Sequence, residues 1–121
     1  MSYRRLFASL AFGGFLAGGA FAQSGLVEVR DNTNVEPFGV IADRVDDWDV
    51  FDAFGKEIGE VEKVVGTNPD SPTALVVDFD GDNDYPNRDV VISLNEFVYE
   101  NGQLTLSVSP AAIADMETWN D

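Results

Sequence analysis

The rhythm of apolar and polar positions changes along the chain, and each change predicts a different element. Leu6 to Ala22 is a nearly unbroken apolar run. Residues 23–36 are polar with little period, apart from a short strand expected at Leu26–Val29. From Pro37 to Val108 the apolar density is high and comes in short bursts. Trp48–Asp52, Lys56–Gly66, Thr73–Asp80 and Arg88–Leu94 each read as a strand, and Phe97–Tyr99 continues or restarts the last of these. Leu104, Leu106 and Val108 alternate with Thr105, Ser107 and Ser109, the period of a half-buried strand. Gly59 inside its strand signals a bulge or a close backbone approach.

Turn chemistry separates the bursts. Asp52-Ala53-Phe54-Gly55 carries the Asp and Gly of a type I turn. Gly66 to Pro72 is dense in loop formers, and Gly81 to Asn87 is an acidic loop. Asn101-Gly102 is the strongest hairpin signal, because a type I′ turn needs positive φ at both central residues. After it, Ser109 can cap a helix and Pro110 fits its first turn, so a short helix is expected over Ala111–Trp119, with Ile113, Met116 and Trp119 on one face. The pattern predicts an all-β domain: a small antiparallel β-barrel of five or six strands with a short C-terminal helix across one end or edge. Parallel pairing is not expected, because it needs a crossover of a dozen or more residues.

The apolar head reads differently. Arg4 and Arg5 precede it and Ala20-Phe21-Ala22 closes it, the layout of a secretory signal peptide cut after Ala22. Gly13, Gly14, Gly18 and Gly19 make it a poor spanning helix, which needs about 20 strongly apolar residues. General secretion is the default route, and Arg4-Arg5-Leu6-Phe7 also carries the core of a twin-arginine signal. The expected organisation is signal peptide 1–22, extended lead-in 23–37 and barrel domain 38–121, in a periplasmic or secreted protein with no membrane insertion after cleavage.

Charge narrows the partners. The net charge is −15, and beyond Ala22 only Arg30, Arg44, Lys56, Lys63 and Arg88 face 22 acidic residues. Such a field repels nucleic acid and anionic lipid and favours cations and basic partners. With no cysteine there are no disulfides, so packing alone holds the domain together.

The segment from Ala42 to Val61 then resembles the opening of PRC-barrel domains, the family of the photosynthetic reaction-centre H subunit. Gly55, Ile58, Gly59 and Val61 stand at the family's Gly-x-x-Ile-Gly-x-Val positions, and Val90, Ile92 and Phe97 fit its later strand. Ser109 to Ile113 with Trp119 looks like its terminal helix. The resemblance covers about residues 38–119. It implies a small β-barrel serving as a binding or scaffold module, here an exported one contacting a protein partner in the cell envelope.

Where exported relatives carry a glycine-rich loop, this chain has Asp78 to Asn87. Asp78, Asp80, Asp82 and Asp84 alternate, and Asp89 is twelfth from Asp78, a partial match to the oxygen spacing of a calcium loop. Asn83 stands where that loop has glycine, and the flanks read as strands. A Ca²⁺-binding protein using these five residues is therefore the alternative reading. An enzyme is not expected. There is no histidine and no cysteine, which removes Ser-His, Cys-His and the usual zinc chemistries. An acid-pair hydrolase would need two carboxylates across a cleft, and 22 acids supply pairs by chance. Among the aromatics, Phe54 and Tyr85 fall in turns, which makes them the candidate partner contacts.

Overall fold

Alternating exposure along the strand-forming segments builds a curled main sheet around the principal apolar core, with a small second sheet and a smaller apolar cluster beside it. The computed structural model describes residues 25–81 and 84–120. The expected signal, residues 1–22, lies outside them. The strands are β1 (Val27–Glu28), β2 (Asn34–Val35), β3 (Val40–Ile41), β4 (Asp49–Phe51), β5 (Glu57–Gly66), β6 (Pro72–Phe79), β7 (Asp89–Ser93), β8 (Phe97–Glu100) and β9 (Gln103–Leu106). Two short α-helices, α1 (Ala42–Val45) and α2 (Pro110–Ala114), and two 3-10 turns, Glu36–Phe38 and Leu94–Glu96, accompany them. The main sheet runs β7-β6-β5-β4-β9-β8 and curls into a half-barrel, with β1 added to β5 beyond the end of β4.

Inward residues alternate with outward ones across register. Val61, Val77 and Val90 share one row on the inner face, and all are fully buried with Val50, Phe79, Ile92, Leu104 and Leu106. Ile113 of α2 joins the same core. Glycine at position 59 answers a close approach. A Cβ there would lie 2.6 Å from the Asp78 carbonyl oxygen and 3.2 Å from the Phe79 Cα. The Asn101-Gly102 turn forms as expected, with φ of 54° and 77°.

Two expectations are corrected. The sheet is not wholly antiparallel: β4 and β9 pair in parallel, Val50 beside Leu104 and Phe51 beside Thr105. The crossover requirement restricts strands that are neighbours in sequence, whereas β5 to β8 lie between these two and carry the chain across. The short strand expected at Leu26–Val29 forms as β1, and Val29 and Val35 of the lead-in are buried in the core. The long β5 outruns β4 and leaves an edge that β1 fills, with the Val29 amide donating to the Val64 carbonyl at 2.9 Å.

The last helix is also shorter than expected. Ser109 caps it, accepting from the Ala112 amide, but it ends at Ala114. The Arg88 guanidinium donates to the carbonyls of Ala114 and Met116 at 3.1 and 3.2 Å, satisfying acceptors that the helix end leaves open. Residues 117–119 then run along β7. The Val91 amide donates to the Glu117 carbonyl and the Trp119 amide to the Asp89 carbonyl, each at 2.9 Å. Sealing that edge places Trp119 on the outer face, where it joins Leu26 and Val91 in covering the buried Val65, Ala74 and Val76.

Candidate functional site

The turn after β4 is held by its own first residue. One carboxylate oxygen of Asp52 accepts from the amides of Phe54 and Lys56, both at 2.9 Å. The Asp52 amide donates to the Lys56 carbonyl at 2.8 Å, and Gly55 turns at φ 85°. This pattern of hydrogen bonds fixes the loop. It leaves the Phe54 ring 95% exposed. Burying a phenylalanine is worth about 1.5–3 kcal/mol, so folding gains nothing of that here.

Phe54 stands beside a groove of about 630 Å³ at one end of the half-barrel. The β4–β5 turn, the β6–β7 loop and the chain from Leu106 to Pro110 supply its walls, which are mainly apolar. Tyr85 also lines it, but not as an exposed contact. It is 6% exposed and stacks on Phe79, with ring centroids 5.2 Å apart and 6° between planes. A loop aromatic beside an open barrel end gains more by folding over the core than by standing in water. Burial raises the Tyr85 phenol pKa, and the Asp52 charge adds to the rise.

The acids form a row that single-position reading missed. Asp49 of β4 is the register partner of Glu60 on β5, Glu60 of Asp78 on β6, and Asp78 of Asp89 on β7. All four occupy the outer face, each beside an inward apolar residue. Like charges placed opposite one another across strands are destabilising. Burial first, then Asp89 and Asp80, raise the Asp78 pKa, and a protonated Asp78 can share its proton with Asp89 and relieve the repulsion between them. Glu57 is raised chiefly by Asp49, with Asp80 and Glu60 contributing.

Of the five expected calcium ligands, the structure thus brings Asp78 and Asp89 together as strand neighbours. Asp80 follows the end of β6, and Asp84 sits in the loop at φ 71°. Asp82 lies outside the described residues. Among the described residues, a converging group lies elsewhere: Asp31, Asp43 and Asp46 place carboxylate oxygens within 4.8 Å of one another. Asp46 follows α1, and its Oδ1 is buried without a hydrogen-bond partner. Burial first, then Glu28, Asp31, Asp47 and Asp43, push its pKa up to about 6. The arrangement keeps the proton on Asp46 up to about pH 6 and leaves a strained charge above it.

The row was legible in principle, since Asp49, Glu60 and Asp89 each precede a strand valine and Asp78 follows one. What was missing was the register that lines them up. The Asp31–Asp43–Asp46 cluster carried no such signal, because it depends on how α1 folds back on the lead-in. No family model and no curated protein matches the chain. Among the described residues no helix is long and apolar enough to cross a membrane.

Proposed function

We propose that the protein is an exported, acidic, PRC-barrel-like module that binds or scaffolds a protein partner in the cell envelope. The signal-like head and the Gly55–Val61 pattern support the exported and family parts of this reading. The curled, mainly β architecture is compatible with the barrel-like part of the reading. The observation that carries the binding role is Phe54, a large aromatic fixed in water beside an apolar groove by a fully hydrogen-bonded turn. A rigid exposed aromatic is the kind of residue that anchors protein interfaces.

The test is recovery of partners from an envelope extract by the domain 23–121, compared with its Phe54→Ala variant. Phe54 touches little, so the variant should melt within about 0.5 kcal/mol of the parent. A partner retained by the parent and lost by the variant is the expected result. Identical recoveries from both would end the reading. Export has its own check: the mature chain isolated from its native host should begin at Gln23.

A further inference from the structure

Residues 29–33 are clasped from two sides. On one side the Val29 amide donates to the Val64 carbonyl and the Arg30 amide to the Pro69 carbonyl, each at 2.9 Å. Arg30 also pairs with Asp70, and the Thr33 hydroxyl donates to the Pro69 carbonyl at 3.3 Å. On the other side the segment takes up the first amides of α1, which a helix leaves without acceptors of its own. The Ala42 amide donates to the Thr33 carbonyl at 2.8 Å and the Asp43 amide to the Asp31 carbonyl at 2.9 Å. The carboxylates of Asp31, Asp43 and Asp46 converge at this second seam, and one Asp46 oxygen is buried with no hydrogen-bond partner.

The four charges that act on Asp46 are all negative: Glu28 from β1, Asp31 from the lead-in, Asp43 from α1 and Asp47 just after it. Arg30 is committed to Asp70, and Arg44 of α1 is exposed. From β5, which packs on α1, Glu60 stands in the outer acid row, Glu62 is exposed, and Lys63 lies over the Trp119 ring, 5.5 Å from its centroid. β3 brings only Val40 and Ile41. We propose that the seam is a proton-operated latch: a proton shared among Asp31, Asp43 and Asp46 closes residues 30–33 on α1, and its loss loosens that turn while Val29 and Val35 hold the segment in the core. Within 4.8 Å a protonated carboxyl can turn its hydrogen toward a neighbouring carboxylate, whereas three ionised groups at that spacing repel. Opening returns Asp46 to water and to its ordinary value of 3.8, while the closed seam holds the proton up to about 6. Closure is therefore favoured most below pH 3.8 and loses that favour as pH rises to about 6. The latch shares no residue with the groove beside Phe54 and does not depend on it.

Amide hydrogen exchange of the domain 23–121 tests the latch residue by residue, in EDTA so that only protons are exchanged at the seam. The Ala42 and Asp43 amides are held by carbonyls of the lead-in, so their protection reports the latch. The amides of β6 report the fold as a whole. Corrected for intrinsic rates and taken relative to β6, protection at Ala42 and Asp43 should fall about threefold or more between pH 4.5 and 7, a fraction of the full shift because Asp46 is partly solvated. The fall should level off above about pH 6. Asp46→Asn, neutral at every pH, should abolish it. If that variant does not fold, Asp31→Asn takes its place, since the Asp31 side chain is exposed. The fall should then be smaller and move to lower pH. Relative protection that stays constant with pH in the wild type overturns the latch. So does a fall that Asp46→Asn leaves in place or, where only Asp31→Asn folds, one that Asp31→Asn leaves unaltered.

Discussion

At the scale of single residues, Asp46 and Gly59 show opposite uses of confinement. Asp46 has a buried oxygen with no donor and four acidic neighbours, which lift its pKa from an ordinary 3.8 to about 6. A carboxyl whose folded pKa is raised favours the folded state fully below its unfolded pKa. That favour is lost as pH climbs through the folded value. Between 3.8 and about 6 the wild type should therefore lose stability relative to Asp46→Asn. Near pH 7 the variant should be more stable by about 1 kcal/mol, a figure reduced from the full shift because the side chain is partly solvated. Thermal melts across that window should show coincident curves near pH 3.5 and a variant several degrees higher at pH 7. Gly59 faces the reverse constraint. With 2.6 Å to the Asp78 carbonyl oxygen, Gly59→Ala must push two backbones apart and should cost about 1–3 kcal/mol in chemical denaturation. A glycine inside an apolar strand was readable as a close approach, because so little else justifies it there. Asp46 was not, because its burial depends on residues more than ten positions away.

At the scale of elements, local chemistry was legible and long-range pairing was not. The Asn101-Gly102 hairpin, the Asp52–Gly55 turn and the Ser109 cap each follow from side chains acting within a few residues, and each formed. The parallel β4–β9 pair, the docking of the lead-in and the run of residues 117–119 along β7 depend on which edges stay open once the sheet curls. The acid row belongs to the same class. Its members are far apart in sequence, and only register makes them neighbours. Glu60 is flanked by acids on both sides, so Glu60→Gln removes repulsion without removing a bond from the sheet. It should stabilise the domain by about 0.5–1 kcal/mol near pH 7. The gain should shrink as pH falls. Asp78 is held above its ordinary pKa, so protonating it relieves the row in the wild type as well. A gain that grew on acidification would show that repulsion within the row is not what Glu60→Gln relieves.

At the scale of the whole molecule, the same repulsion becomes a dependence on solution conditions. A chain of net charge −15 whose acids are aligned on one face of a sheet folds against its own field. Removing residues 1–22 would deepen that field by taking Arg4 and Arg5 away. Raising ionic strength shortens the screening length from about 10 Å at 0.1 M to about 3 Å at 1 M, below the spacing between acids on neighbouring strands. The melting temperature of the domain 23–121 should therefore rise with NaCl at pH 7, and should rise less at pH 4.5, below the value of about 6 to which Asp46 is raised. A melting temperature independent of salt would show that the acids are too well solvated to repel, and would remove the field as a factor in stability. Calcium separates a diffuse field from a built site under the same measurement. At matched ionic strength, screening alone gives CaCl₂ little advantage over NaCl. A loop that coordinates the ion gives a further rise at millimolar Ca²⁺, one that Asp80→Asn with Asp84→Asn abolishes. The calcium reading of Asp78 to Asp89 requires that second rise. Without it the acids act only as a diffuse field, felt through stability and its dependence on salt and pH.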